Sequence, residues 1–579
     1  MVFLPPSWVP KLLRDPPDSV SIPDFMSNDA YGRYPLANAR SPFVCGLTGK
    51  SYTAAEVVER EKNLAKAISK KLESTLGGPE WDRVVTVFSL NTIDYVPLTH
   101  AVHRMSGIVA PASPASTALE LGYQLQLSGS VALFTCVPLL KIAVEAARAK
   151  GIPDDRIFIL PMQGDCGNHG FTTVWDLIEE GKKLPDPVPV DWSNGQGERQ
   201  VAYLCFSSGT SGMPKAVMVS HRNIIANIIQ LTVFESFYRR QHNIDSQVLL
   251  GLLPFSHAYG LVIMAHTAPY RGDQVIVLPN FQLGTLLTAV QSFKIEQLNI
   301  VPPILVQMVS SHEKCKKFDL SSVRFIYTGG APLGIETIRS LSDLYPHWRI
   351  GQVYGMTETA VVITSTSESD ILHGSSGSLL PSTKAKIIDA NGKVVTAIET
   401  PGELLVQGPS VTLGYLNNEK ATAETFVWDE DGRWIRTGDE AVVRKSDQGH
   451  EHFVIIDRIK ELIKVKGMQV APAELEAHLL THPFVSDCAV IQTHHEQSGE
   501  VPKAFVVRSH ESAGRTEAYN CAVRATVGRG WLISGKARLI GSYLKLEGSH
   551  DDDLDKDEQD AKKIKITTIE NTRVRPGVT

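Results

Sequence analysis

No stretch of this 579-residue chain approaches the roughly 18 consecutive apolar residues that a membrane-spanning helix needs, so stable membrane insertion is not expected. The seven cysteines (Cys45, Cys136, Cys166, Cys205, Cys315, Cys488 and Cys521) form no Cys-x-x-Cys pair and no Cys/His metal spacing. They read as reduced thiols of an intracellular protein. Long basic tracts are also missing and the net charge is −6, which gives no case for nucleic acid as a partner. The N-terminus, MVFLPPSWVPKLLRDPPDS, is broken by prolines and lacks the basic-then-apolar order of a signal peptide. Cytosol or peroxisome is the expected location, although the final Pro-Gly-Val-Thr is not a peroxisomal Ser-Lys-Leu. A Walker A loop, G-x-x-x-x-G-K-[ST], is absent as well.

What is present begins with order along the chain. Residues 1–40 read as an irregular, proline-rich N-terminal arm. From Tyr52 onward Ala54, Val57, Val58, Leu64 and Ala65 recur at helical spacing, and Val84 to Leu90 reads as a buried strand. Short β-branched runs at Val275–Leu278, Gln297–Val301 and Val323–Tyr327 alternate with helical stretches, which predicts mostly parallel sheets covered by helices. Between about 374 and 457 short strands and tight turns take over, with Asp389-Ala390-Asn391-Gly392 and Asp431-Gly432 as turn signals. The basic cluster Asp457–Gly467 and a helix opening at Pro472 mark a domain boundary. The reading is an α/β protein: a large domain over 41–457 with a β-rich subdomain at about 374–457, then a small α+β domain starting at 458–509.

Five places concentrate polar groups. An apolar run, Val201 to Phe206, empties into a loop carrying Ser207, Ser208, Gly209, Thr210 and Ser211 and closed by Lys215. Glycines bring backbone N–H groups close to an anion, hydroxyls add donors and the lysine adds charge, so the loop suits a polyphosphate. A Ser/Gly-rich surface linker has similar letters, but the strand leading in and the lysine inside argue against it. The second place is LPFSHAYGL, with His257 and Tyr259; a lone histidine here could equally be a satisfied core residue. The third is YTGGAPLG, where Gly330 and Ala331 let a flat ligand lie on backbone. The fourth is QVYGMTET, with Gln352, Thr357 and Glu358; a carboxylate beside a phosphate loop is a natural Mg²⁺ ligand, or else a helix cap. The fifth is RTGDE with Asp439, followed by Asp457-Arg458; an aspartate there can accept from both hydroxyls of a ribose, or simply shape a turn.

In this order the motifs SSGTSGMPK, YGMTE, GYLNN, ATAETF, RTGD and DRIKELIKVKGMQVAPAELE resemble the adenylate-forming superfamily, most closely the 4-coumarate–CoA ligase-like branch of the acyl-CoA synthetases. The resemblance covers about Tyr52 to Val507. It implies ATP, Mg²⁺ and coenzyme A as cosubstrates and cofactor, and a small carboxylic acid as substrate. The acid would attack the α-phosphate of ATP, and a thiol would then displace AMP from the acyl-adenylate. It further implies that Ser207, Ser208, Gly209, Thr210, Ser211 and Lys215 cradle phosphates, Thr357 bonds the α-phosphate and Glu358 holds the metal. Asp439 and Arg458 would take the ribose, and Gly330, Ala331 and Gln352 the adenine and acyl sites, with His257 and Tyr259 beside the acyl carboxylate. Lys460 would be the hinge of a mobile C-terminal domain, Lys464 and Gln469 would face the adenylate, and Lys466 and Gly467 the CoA.

From Leu253 to Tyr270 the chain has no Asp, Glu, Lys or Arg, and Ala258 stands where amino-acid-activating relatives place an aspartate. A free amino acid would bury its ammonium without a partner, so an aromatic or medium-chain aliphatic acid is expected. The family's closing P-K-x-x-x-G-K motif is not found after Val507. Its nearest echo is Ser534-Gly535-Lys536, and an acidic run with seven Asp or Glu lies between Asp551 and Asp560. Residues 510–579 are therefore read as a divergent, disordered tail. Losing that motif's lysine would slow adenylation by about 10²–10³. Two other readings follow from it: a catalytically impaired protein that binds nucleotide or acyl-adenylate, and transfer to a carrier-protein phosphopantetheine instead of CoA.

Overall fold

The computed structural model describes residues 1–72, 79–162, 164, 169–185, 192–207, 214–465, 468–480, 485–495, 499–508, 545–547 and 565–568. Among these, the strands assemble into four sheets. The helix Ala54–Lys71 shows how local chemistry starts an element. The Thr53 hydroxyl accepts from the Glu56 N–H at 3.2 Å, and the Glu56 carboxylate accepts from the Thr53 N–H at 2.7 Å. This reciprocal box satisfies two N–H groups that the helix itself leaves unpaired.

Two of the sheets carry the large domain. In one, Ile157–Ile159, Ala132–Thr135, Val84–Phe88, Ile108–Ala112 and Val201–Ser207 run parallel, and the sheet turns antiparallel only at Lys215–Ser220 and Gly414–Tyr415. In the other, Phe43–Cys45, Gln274–Val277, Val248–Gly251, Gln297–Ile300, Phe325–Gly329 and Arg349–Met356 are parallel neighbours. Every residue of Val84–Phe88 is buried, as a parallel strand covered on both faces requires. Val201–Ser207, Val248–Gly251, Phe325–Gly329 and Arg349–Met356 lead into the polar loops singled out above, the usual place for a ligand in such sheets.

The N-terminal arm is irregular apart from a short helix, Ile22–Ser27, and a 3₁₀ turn, Asp29–Tyr31, yet it is stitched to the body. The Phe3 N–H donates to the Ala385 carbonyl at 2.7 Å, Trp8 packs on Phe234, and Phe25 stacks on Tyr270 with ring centroids 4.9 Å apart.

A third, antiparallel sheet joins Lys384–Ile388, Gly402–Gln407, Gly432–Lys445, Phe426–Asp429 and Glu451–Arg458. The Asp389–Gly392 turn forms as its residues dictate, with the Gly392 N–H on the Asp389 carbonyl at 2.9 Å. Beyond Arg458 come a small hairpin, Ile463–Val465 with Met468–Val470, the helix Pro472–Leu479, and a long hairpin, Val485–His495 with Gly499–Arg508. Proline at the first helical position loses nothing, because its N–H would be unpaired there anyway.

One expectation is corrected. Within the stretch read as a disordered tail, Lys545–Glu547 and Lys565–Thr568 are strands, and the latter pairs parallel with Gly499–Arg508. An acidic charge run says nothing against a β-branched segment beside it adding to an open sheet edge. The other residues of 510–579, Lys536 among them, lie outside the described residues. No described helix is long and apolar enough to cross a membrane.

Candidate active site

The strands Val201–Ser207 and Lys215–Ser220 form an antiparallel pair in which Ser207 stands opposite Lys215. The two ends of the phosphate-loop candidate are thereby pinned to each other. Ser208, Gly209, Thr210 and Ser211 lie outside the described residues.

Around this pinned base a compact cluster forms. The buried Glu358 accepts on one carboxylate oxygen, Oε1, from the Ser207 hydroxyl at 3.1 Å and from the Tyr415 hydroxyl at 2.8 Å. The Lys215 ammonium lies 4.5 Å from the centre of the same Tyr415 ring, within cation–π range. One tyrosine thus touches the loop lysine and the acidic residue together. Burial and the neighbouring Glu358 carboxylate push the Tyr415 phenol well up, so it stays a hydrogen-bond donor. Among the described residues, side-chain hydrogen bonds to Glu358 fall on Oε1 alone, which leaves Oε2 as an oxygen ligand of the kind Mg²⁺ takes.

Glu358 is held by unusual backbone. Strand Arg349–Met356 ends in a 3₁₀ turn, Thr357–Thr359, after which Ala360 and Val361 have φ of 48° and 98°. A β-branched residue at positive φ costs about 1–3 kcal/mol and persists only where surroundings impose it. The imposing neighbour is Gly355: a Cβ there would lie 1.5 Å from the Val361 carbonyl oxygen. Thr357 is half-buried beside this turn.

Asp439 and Arg458 are register partners on neighbouring strands, with the Arg458 guanidinium 3.9 Å from the carboxylate. The Tyr354 hydroxyl donates to the other Asp439 oxygen at 2.5 Å. Burial pushes the Asp439 carboxyl up to about 6, with Tyr354 and Arg458 pulling in the opposite direction.

The acyl-side residues form a second group. The His257 Nδ1 accepts from the Tyr259 N–H at 3.2 Å, which leaves the proton on Nε2 as a donor. Lost hydration lowers the imidazole below its ordinary value and keeps it neutral. The Tyr259 hydroxyl donates to the Tyr327 carbonyl at 2.8 Å and so ties this segment to strand Phe325–Gly329. Gly330 (φ 84°) and Ala331 follow that strand and are exposed, leaving backbone open. The Gln352 amide is already engaged: it accepts from the Leu333 N–H at 2.8 Å and donates to the Ser375 carbonyl at 3.4 Å. It props the Gly330–Gly334 loop from behind.

On the small domain, Lys460 sits in the exposed turn between Glu451–Arg458 and Ile463–Val465, where the third and fourth sheets join. Lys464 is exposed on the small hairpin opposite Gln469, and its N–H donates to Glu500. Lys466 and Gly467 lie outside the described residues. Asp457 accepts from the Ala473 N–H at 3.1 Å, and Gly334 approaches Ala477, so the helix Pro472–Leu479 rests on the end of the Gly330–Gly334 loop.

Sequence reasoning passed over two side chains that organise the site, Tyr354 and Tyr415. Both lie inside quoted motifs, YGMTE and GYLNN, and a tyrosine inside a polar motif was the available signal.

Comparison with known proteins gives one consistent answer. The family model described as "AMP-binding enzyme" matches residues 36–416, and that for the "AMP-binding enzyme C-terminal domain" matches 474–536. The chain is 40% identical to the acyl-CoA ligase easD of Emericella nidulans, over 88% of this chain and 90% of the relative. It is 41% identical to the acyl-CoA ligase AKT1 of Alternaria alternata, over 88% of each. Among solved structures it resembles the anthranilate CoA ligase AuaEII in complex with anthranoyl-AMP, at TM-score 0.71 and 21% identity over 89% of this chain and 91% of that one. It also resembles ATP-bound MatB from Rhodopseudomonas palustris, at TM-score 0.67 and 25% identity over 84% of this chain and 88% of that one.

Proposed function

The chain belongs to the AMP-binding enzyme family, and we propose that it is an AMP-forming acid–CoA ligase whose acid is aromatic or medium-chain aliphatic. The carboxylate attacks the α-phosphate of ATP, breaking the bond to the β-phosphate and giving acyl-adenylate and pyrophosphate. The CoA thiol then attacks the acyl carbon, and AMP leaves as the thioester forms.

The cluster of Ser207, Lys215, Glu358 and Tyr415 carries this reading. It assembles a donor, a cation and a carboxylate at the base of one loop, which is what positioning a polyphosphate and its cation requires. In this reading Ser207 and Lys215, with Ser208 to Ser211, hold the phosphates, and Thr357 reaches the α-phosphate. Glu358 would hold Mg²⁺, which when bound neutralises phosphate charge. Asp439 accepts from the ribose hydroxyls while Arg458 steadies it. His257, neutral and donating through Nε2, meets the acyl carboxylate beside Tyr259 and the open Gly330–Ala331 backbone. Lys460 serves as hinge, Lys464 and Gln469 face the adenylate, and Lys466 and Gly467 face the CoA.

The uncharged segment Leu253–Tyr270, buried along Ala258–Tyr270, supports an apolar acid. The test uses the full chain with a panel of aryl and C6–C12 acids. Acid-dependent pyrophosphate release and CoA-dependent AMP release from a supplied acyl-adenylate are expected. Absence of both overturns the proposal, and transfer to a carrier protein with none to CoA replaces the acceptor.

A further inference from the structure

Four histidines, His100, His103, His221 and His266, are packed together in the core, each 3% exposed or less. None belongs to the site described above. Two of them connect the protein surface to the wall of the acid site through a chain of hydrogen bonds.

The chain starts from the π-helix Gly260–Thr267, which directly follows His257–Tyr259. A π-helix is wide and rare, and often marks a functional site. Here two side chains at its end bond back to carbonyls five residues earlier: His266 Nδ1 to Leu261 at 2.7 Å and the Thr267 hydroxyl to Val262 at 2.9 Å. A carbonyl only accepts, so His266 carries its proton on Nδ1. Burial drives His266 down to about 3, so it is neutral and its Nε2 is bare. That bare Nε2 lies 3.2 Å from Nε2 of His100 and 3.4 Å from the Tyr203 hydroxyl, which donates to Thr99 at 3.3 Å. His100 must therefore donate through Nε2.

The other nitrogen of His100, Nδ1, is 2.7 Å from Oε1 of Glu61. Glu61 Oε2 accepts two bonds from Arg104, at 3.2 and 3.0 Å, and its carboxyl is held below the ordinary value by His100 and Arg104 against the cost of burial. Glu61 is thus a carboxylate, paired on one oxygen with His100 and on the other with Arg104. Arg104 is met in turn by Asp24 at 3.2 Å, so each polar group along the chain has a partner. A buried polar network is stable only when satisfied in this way.

The near end of the helix has no slack. A Cβ on Gly260 would lie 2.2 Å from the Pro254 carbonyl oxygen, so the helix start is pressed against the segment leading to His257. A shift at the His266 end is therefore transmitted to His257 and Tyr259.

We propose that Glu61, His100 and His266 are positioning residues that hold the π-helix at the pitch the acid-binding wall needs, and so set acid selectivity without touching the acid. The proposal rests on the ligase reading, and the hydrogen-exchange measurement below tests the side-chain control of the helix apart from it. With the acid that gives the fastest pyrophosphate release, His266→Leu and His100→Leu should raise the KM for acid about tenfold, because a buried partner is left unpaired. The KM for ATP should move less than about twofold, since the phosphate cluster is untouched. His266→Asn, which keeps a donor for the Leu261 carbonyl, should restore most of the affinity for acid. A merely structural role would lower thermal stability and reduce both substrates' kcat/KM in parallel, with no difference between His266→Asn and His266→Leu; that pattern overturns the proposal. If a leucine variant does not fold, Thr267→Val removes the companion bond at nearly constant shape and should raise the acid KM in the same sense. If wild type releases no pyrophosphate with any acid, the ligase reading fails, and amide hydrogen exchange over 260–267 still decides the chain. Exchange faster in His266→Leu than in His266→Asn supports it, and equal exchange ends it.

Discussion

In the proposed site the two walls are built on opposite principles. On the phosphate side, Glu358, Ser207, Lys215 and Tyr415 satisfy one another, through hydrogen bonds and a cation over a ring, and every one of these contacts can be exchanged for a contact to ligand. On the acid side, Tyr259, Tyr327, His266 and His100 are buried and engaged with backbone or with each other, and only His257 keeps a donor to offer. The first arrangement suits a charged cosubstrate that arrives with its own metal and must be released in pieces. The second suits an apolar acid that has to be told from others by shape, because preformed packing discriminates where adaptable polar groups do not.

If that contrast is right, the largest loss comes from the exchangeable side. Glu358→Gln keeps an acceptor for Ser207 and Tyr415 but removes the negative charge on the oxygen offered to the metal. Pyrophosphate release should fall by about 10²–10³, the scale for losing one preorganised group at developing charge. Tyr415→Phe keeps the ring under Lys215 and deletes only the hydroxyl bond to Glu358. It should lower kcat/KM for ATP by about tenfold and raise the Mg²⁺ concentration for half-maximal rate. Equal losses in the two variants would mean that the cluster is a structural unit and not an exchangeable one.

A pH effect of middle size belongs to Asp439. In the proposed role its carboxyl, pushed up to about 6, accepts from both ribose hydroxyls when it is ionised. Above pH 6 the acceptor is present; below it the bound proton removes it. The KM for ATP should therefore rise as pH falls through 6, towards about tenfold per pH unit, while the KM for acid stays level. Asp439→Asn should bind ATP more weakly and lose that pH dependence. A KM for acid that climbs in step with that for ATP would place the titrating group elsewhere.

The asymmetry also explains what could be read from the letters. Val84–Phe88 and Gln274–Val277 were legible because a buried parallel strand is a largely apolar, β-branched run, and the residues at strand ends were legible because glycines and hydroxyls interrupt it. Pairings across the chain were not. Tyr415 and Glu358 are 57 residues apart, Tyr354 and Asp439 are 85 apart, and His100 and His266 are 166 apart. The π-helix was not legible either, because an apolar run such as Leu261–Thr267 reads the same in an α-helix, and the wider turn shows only in the backbone, where the Ala268 N–H reaches the Ile263 carbonyl. Composition showed only that the segment carries no charge.

The smallest effect is expected from Lys536. The C-terminal family match runs to this residue, yet the preceding Pro-Lys of the family motif is missing and the spacing from Val507 is short. A lysine that bridges carboxylate and α-phosphate must be delivered to the seam between the two walls, and delivery depends on the chain length behind it. Lys536→Ala should therefore change pyrophosphate release by less than about threefold, against the 10²–10³ expected for a bridging cation. The measurement is acid-dependent pyrophosphate release alongside thioester formation from a supplied acyl-adenylate. A loss of the larger size confined to the first would make Lys536 the bridging lysine and close the seam from the small domain. A small change in both would leave the seam to Lys215 and Lys464, and adenylation would then be slow relative to thiolysis in the unmodified chain.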